Sequence, residues 1–285
     1  SIGESLLPHA MDVLHDAGLL DALRPCRFLE KRGVRFASGE ARCDFAFEEA
    51  GRGWGWAWQV PRAEFDHRVA QAVEAQGVRF AYRHSVQAVE VDERGASLEV
   101  TGPTGERQTF RGRFLVDASG NGRVLPRLLG LDAPSSLPPR AALFAHVTGD
   151  HRPSGPEEGW IWICVHPLGG AWIWLIPFAD GRTSVGVVGE PSFFERFAGT
   201  PAEQLRAILQ GELWARSRLA DATPVTEPRL LKGFSTSVKR VWGPGYCLVG
   251  NATEFLDPVF ASGVTLALES ARAASGLVVR TLRGE

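Results

Sequence analysis

Methionine occurs once and tyrosine twice in the 285 residues, and the four cysteines (Cys26, Cys43, Cys164, Cys247) lie far apart with no C-x-x-C pair. That spacing excludes a zinc knuckle or a disulfide scaffold and fits a reducing cytoplasm. An excess of one charge is missing too. The 31 basic and 33 acidic side chains leave a net −2, with no basic stripe of the kind that binds nucleic acid. No apolar run approaches the roughly 18 residues a membrane span needs, and the residues from Ser1 onward lack a signal-peptide pattern. The seven histidines show no H-E-x-x-H or clustered spacing, so no metal site is expected. There is no G-x-S-x-G elbow and no G-x-x-x-x-G-K-[ST] loop, which removes the hydrolase and P-loop readings.

The rest of the composition is that of a globular protein, with 44% hydrophobic and 22% charged residues. Nine tryptophans and 32 glycines stand out, the latter implying many tight turns. Pro8 opens and Gly18 closes a first helix. Short strands are expected at Gly33–Ala37, Cys43–Phe47 and Trp54–Gln59, parted by turns such as Gly51-Arg52-Gly53. A helix follows from Pro61-Arg62 to Gly77, with Phe65, Val69 and Val73 on its apolar face. Val78–Tyr82, Val86–Val91 and Leu98–Thr101 read as further strands. Phe114–Ala118 reads as a parallel strand buried on both faces. Beyond a proline-rich link at 134–140, strands at Ala141–Val147, Trp160–Val165, Trp172–Ile176 and Thr183–Val188 form an antiparallel sheet. Pro201–Arg218 is helical, Tyr246–Gly250 a buried strand, and a small-residue helix starts at Ser262.

Parallel-type strands alternating with helices, interrupted by antiparallel ones, predict an α/β fold: a doubly wound domain with an inserted, mainly antiparallel β-sheet domain. The expected division gives 1–25, 62–131 and 232–285 to the first, cofactor-binding domain. It gives 26–61 and 132–231 to the second, substrate-binding one.

Two stretches carry the chemistry. In L-V-G-N-A-T-E-F-L-D-P-V-F-A-S-G-V-T (248–265) a buried strand ends at Gly250, Pro258 stiffens a loop, and a helix begins near Ser262. The leading N–H groups of Ser262, Gly263 and Val264 would face something anionic or electron-rich, with Gly263 permitting close approach. In V-D-A-S-G-N-G (116–122) a strand delivers Asp117 into a glycine turn, the position where α/β sheets bind ligands. Each stretch taken alone is also a plain strand–turn–helix link.

Together they resemble the paired fingerprints of FAD-dependent oxidoreductases of the aromatic-hydroxylase type, and more narrowly the flavin-dependent halogenases. W-I-W-L-I-P (172–177) matches the W-x-W-x-I-P signature associated with that branch, and G-E-S-L-L-P (3–8) is similar to the segment following its dinucleotide-binding unit. W-Q-V-P-R-A-E-F-D (58–66) resembles its strand-to-helix entry, with Arg62 near the cofactor phosphates. The resemblance implies FAD as cofactor, held by Arg62, Asp117, Gly250, Asn251, Pro258, Ser262, Gly263 and Val264. It implies halide at the Ser262 and Gly263 amides, and an aromatic pocket with Phe255, Phe260, Trp172 and Trp174. It also implies a separate flavin reductase and a small or carrier-tethered aromatic substrate.

Lys31 resembles the lysine that handles the oxidised halide in that family. An amine near a dry pocket can be neutral and nucleophilic. The charge run E-K-R-G also reads as a solvated turn.

Three departures accompany the matches. The G-x-G-x-x-G turn is absent, so a segment upstream of Ser1 is expected. Asn251 stands where the family has aspartate, and Ala261 replaces a serine. Phe260 replaces the glutamate of tryptophan halogenases, which turns the expected substrate toward phenolic, pyrrolic or carrier-tethered aromatics. Two other readings remain: a non-halogenating FAD monooxygenase or isoprenoid reductase, and a flavin-less binding protein of the same fold. The tryptophans at period two (54/56/58, 160/162, 172/174) are either sheet core, with each N–H partnered, or an aromatic wall beside the cofactor.

Overall fold

A computed structural model describes residues 3–51, 53–233, 235–255 and 258–285. Arg52 of the expected turn, and Leu256 and Asp257 of the loop before the last helix, lie outside the described residues. The chain divides into two compact units: residues 1–72, 138–234 and 257–262 in one, and 73–137, 235–256 and 263–285 in the other.

The first unit is built on an eight-stranded sheet. Gly33–Ser38 pairs in parallel with Ile161–Val165 and antiparallel with Ala41–Ala46. Beyond Ile161–Val165 the antiparallel order runs Ala171–Pro177, Arg182–Gly189, Ala141–Thr148, with Thr223–Pro224 and Arg229–Lys232 both on the last. Alternation along each strand sorts side chains to two faces. Arg35, Trp162, Leu175, Val185 and Ala145 stand opposite one another across the ladders. They look into a core with Leu205, Ile208 and Ala215 of two helices, Pro201–Gln210 and Leu213–Arg218. The expected single helix over 201–218 is thus broken at Gly211-Glu212, where Glu212 caps the second piece through the Ala215 N–H at 2.6 Å. Phe36, Ile163, Trp174, Gly186 and Phe144 line up on the opposite face.

The W-x-W pair and the Trp160/Trp162 pair therefore serve different faces. Trp160 and Trp162 belong to the helix-covered core, and neither indole N–H has a partner, contrary to the expectation that each would. Trp174, on the other face, donates to Ser184 Oγ at 3.0 Å. Its ring lies over Gly186, where a Cβ would sit 2.1 Å from it. A third row forms where Trp54, Trp56 and Trp58 follow one another at 5.3 and 5.4 Å between ring centroids. Only Ala57–Gln59 of that stretch is strand, because Gly53 and Gly55 put the first two indoles in a bend.

A small antiparallel ladder completes this unit. Leu29–Lys31 pairs with Ala57–Gln59, and Ser5 bridges Gln59 from the other side. Leu6 N–H donates to Trp58 O, and Val60 N–H to Glu4 O. These bonds put residues 3–25 in the same unit as the large sheet, where the sequence had assigned 1–25 to the cofactor-binding domain. The helix of residues Pro8–Asp16 packs its Met11 and Leu14 inward and stops before Gly18 at φ 68°.

The second unit carries two three-stranded sheets. One is an antiparallel meander of Ser85–Asp92, Gly95–Thr101 and Arg107–Gly112. In the other, Tyr246–Leu248 lies between Trp242–Gly243 and Leu115–Asp117, the latter in parallel. The strand expected at Phe114–Ala118 is only three residues long and has a single neighbour among the described residues, and Val116 is 43% exposed rather than buried on both faces. Val78–Tyr82 pairs with no described strand, and its Phe80 and Tyr82 rings stack on each other instead. On the helix Arg62–Ala75, only Phe65 of the expected apolar face is buried.

Candidate functional site

Lys31 is the most unusual side chain of the first unit. The run E-K-R-G lies at the end of a strand, and the pleat splits it. Glu30 and Arg32 point out and pair with each other at 2.6 Å, whereas Lys31 points in and is 1% exposed. Its Nζ donates to Leu6 O at 3.0 Å and stands 5.2 Å from the centre of the Phe47 ring. No carboxylate meets it, so burial alone lowers its pKa from 10.5 to about 7. An amine in that state is part neutral at physiological pH and can act as a nucleophile or a hydrogen-bond acceptor.

The large sheet bears a second candidate feature on the face away from its helices. A cavity of about 510 Å³ is lined by Phe36, Ile163, Val165, Trp172, Val259 and Phe260, with the Arg140 and Glu190 side chains (3.8 Å apart) also in its wall. Of the expected aromatic pocket, Phe260 and Trp172 lie here. Phe260 is 65% exposed, and its ring meets Phe36 at 6.0 Å. Trp174 is Trp172's neighbour at 6.0 Å, but it is buried under Gly186 rather than in the wall. Phe255 belongs to the other unit, where its N–H bonds Thr236 O. Arg62 is engaged by Asp66 at 2.8 and 3.0 Å and reaches Gly3 O at 3.4 Å.

In the second unit, the parallel strands Leu115–Asp117 and Tyr246–Leu248 lead into two glycine turns, Gly120–Gly122 and Gly250–Ala252, which pack on each other. Asp117 spends both carboxylate oxygens on its own turn, accepting from Ser119 N–H at 2.7 Å and Leu125 N–H at 2.8 Å. It thereby shapes the glycine turn that the sequence placed at the cofactor. Gly250, at φ 55°, receives Ser270 Oγ on its N–H, and a Cβ there would come 3.0 Å from Ala267. Asn251 sits half-buried within this turn. Pro258 opens a short 3-10 turn, and the final helix runs Gly263–Arg283, one residue later than expected. Ala261 adopts φ 54°, a left-handed conformation that aims the chain into the helix at Ser262. No described residue comes within 4 Å of where a Gly263 Cβ would be.

An open space at a helix amino end, preceded by glycine turns at the carboxyl ends of parallel strands, fits one side of a bound dinucleotide. Sequence reasoning missed Arg123, whose buried guanidinium joins Asp132, Thr236 and Ser237 behind the first turn. It also missed Gln59 and the Asp150–Arg218 pair. Each has at least one partner dozens of residues away, which no local spacing reveals.

The tryptophan halogenase family model matches residues 47–280, and the chain belongs to this flavin-dependent, FAD-oxidoreductase class. Among curated relatives, a 1H-pyrrole-2-carbonyl peptidyl-carrier-protein chlorinase of Pseudomonas fluorescens is 27% identical, over 99% of this chain and 68% of its own length. Tryptophan 2-halogenase of Chondromyces crocatus is 30% identical, over 100% of this chain but 55% of its own length. Among solved structures, a flavoprotein/dehydrogenase from Cytophaga hutchinsonii superposes with a TM-score of 0.95 at 42% identity, covering all of this chain and 70% of that one. The myxobacterial chondrochloren halogenase gives 0.92 at 32% identity, covering 100% and 67%.

Proposed function

We propose that this chain carries out flavin-dependent halogenation of an electron-rich aromatic. The observation that carries the reading is Lys31: an amine of normal chemistry held in a dry interior without a counter-ion. FAD would be held by the glycine turns at Gly120 and Gly250, by Asn251, and by the amide groups of Ser262, Gly263 and Val264. When bound and reduced by a separate flavin reductase, it supplies the oxidising power drawn from dioxygen. Halide would sit on the Ser262 and Gly263 amides, since leading helix N–H groups favour anions. Arg62 is assigned to the cofactor phosphates. Lys31, part neutral at pH 7, would bind the oxidised halide through its lone pair, and the Phe47 ring and Leu6 keep water from it.

The cavity faced by Phe36, Trp172 and Phe260 is the proposed seat of the aromatic ring. Its apolar walls suit a phenol or pyrrole, and its size leaves room for a substrate carried on a tether. The pyrrolyl carrier-protein chlorinase among the relatives supports that substrate class. The second unit supplies most of the proposed FAD-binding domain, and the large sheet of the first unit the proposed substrate-binding domain. Four free cysteines fit a reducing cytoplasm, and no helix of the described residues is long and apolar enough to cross a membrane.

The test supplies protein, FAD, a reductase, halide and a panel of electron-rich aromatics. Lys31→Ala is expected to abolish halogenation while reduced flavin is still reoxidised. Halogenation retained by Lys31→Ala would remove the lysine from the mechanism. Turnover indifferent to halide would favour a monooxygenase or reductase, a reading to which the 42% identical flavoprotein/dehydrogenase gives weight.

A further inference from the structure

Lys31 does not stand alone on its ladder. Directly paired residues of adjacent strands project to the same side, and diagonal neighbours lie about 7–8 Å apart, within reach of long side chains. Gln59 pairs with Leu29, Lys31 with Ala57, and Ser5 with Gln59. Lys31, Gln59 and Ser5 therefore share one face of this small ladder. All three are buried, with Gln59 fully so. Gln59 Nε2 donates to Gly159 O at 2.9 Å. A carbonyl can only accept, so this bond fixes the amide with its oxygen turned the other way. That oxygen has no partner, and neither has Ser5 Oγ. Gly159 is itself pinned, since a Cβ there would sit 1.9 Å from Glu30 O. The carbonyl that orients Gln59 is thus held against the residue preceding Lys31.

Burying an unpaired acceptor costs stability, and this one shares a ladder face, at a diagonal position, with the one buried lysine of the described residues. Leu6 O takes a single N–H of that amine. A neutral amine keeps a second N–H and a lone pair, and Gln59 Oε1 can accept the second N–H but cannot compete for the lone pair. We propose that Gln59 is a positioning residue for Lys31: with Leu6 O it fixes both N–H bonds of the amine and so aims its lone pair. The inference rests on the function proposed above, yet it concerns groups that can be read without turnover.

Only three lysines occur in the chain, Lys31, Lys232 and Lys239, so the Lys31 side chain can be followed individually by nitrogen-detected NMR. No charged group contributes to its titration as the protein stands. Gln59→Glu puts an opposite charge beside the amine and is expected to raise its midpoint by about one unit or more. Gln59→Met removes the acceptor, and is expected to lower the midpoint by about half a unit and kcat at least about tenfold with KM little changed. If Gln59→Glu does not fold, Gln59→Met decides. A Lys31 midpoint unmoved in the folded variants overturns the proposal. Should Lys31→Ala keep its halogenation while these midpoints move, the functional reading falls and the positioning of Lys31 by Gln59 stands.

Discussion

Two of the first unit's buried cations, Arg218 and Lys31, are held in different ways. Arg218 lies beneath the large sheet with Asp150 at 3.1 Å, and its guanidinium stacks 4.5 Å from the Trp162 ring centre, whose other approach is taken by Arg35 at 4.9 Å. Burial lowers its pKa only to about 10, with Asp150 opposing the shift. Lys31 has a carbonyl and a phenyl ring and no counter-ion, and falls to about 7. The paired cation is a structural fastening. The unpaired one bears its burial cost without a compensating charge, as the proposed role of Lys31 requires.

The sharpest way to break this contrast is to delete the unpaired charge. The pKa of Lys31 is depressed in the folded state, so the unfolded chain binds the extra proton between about pH 7 and its ordinary 10.4. The destabilising contribution of Lys31 is therefore full below pH 7 and fades as pH climbs toward 10. Lys31→Met should stabilise the fold by about 4 kcal/mol at pH 6, a gain that shrinks to near zero at pH 10, while halogenation is lost. Denaturant unfolding at the two pH values measures it, and a destabilised Lys31→Met would reverse the contrast.

Deleting the partner of the other cation should act in the opposite direction. Asp150→Ala leaves Arg218 buried without its carboxylate and is expected to cost about 3 kcal/mol or more at neutral pH. Burial pushes the Asp150 carboxyl up, but the Arg152 hydrogen bond and the Arg218 charge bring it below its ordinary value. Its contribution is thus present above the unfolded carboxylate pKa and fades in acid. Unfolding curves from pH 7 to pH 3 check both the size and the sign.

Two positions on the sheet face away from the helices, one buried and one exposed, offer a weaker form of the same comparison. Gly186→Ala forces a methyl against Trp174 and should destabilise by about 2 kcal/mol, read in thermal unfolding. Phe260→Ala, on the exposed cavity wall, should change stability by less than about 0.5 kcal/mol and raise KM for an aromatic substrate several-fold. A Phe260→Ala enzyme with unchanged KM would move the substrate away from this cavity.

Much of this was legible in the sequence. The tryptophans at 160/162 and 172/174 announced strands, whereas Trp54 and Trp56 fall in a bend, and the stretches ending at Gly122 and Gly263 marked the turns Gly120–Gly122 and Gly250–Ala252. What escaped was set by partners far along the chain. The E-K-R-G run looks solvated until the pleat separates Glu30 and Arg32 from Lys31. Val78–Tyr82 has the alternation of a strand but no described neighbour to pair with. Ser5 and Gln59 lie in the stretches G-E-S-L-L-P and W-Q-V-P-R-A-E-F-D, but their pairing comes from a bridge spanning more than fifty residues, which neither stretch reveals.

The most direct measurement is the titration of Lys31 itself in the unmodified protein, followed by side-chain NMR against Lys232 and Lys239. A midpoint near pH 7, with the other two near the ordinary 10.4, is the predicted result. A Lys31 midpoint alongside theirs would contradict the account at its root.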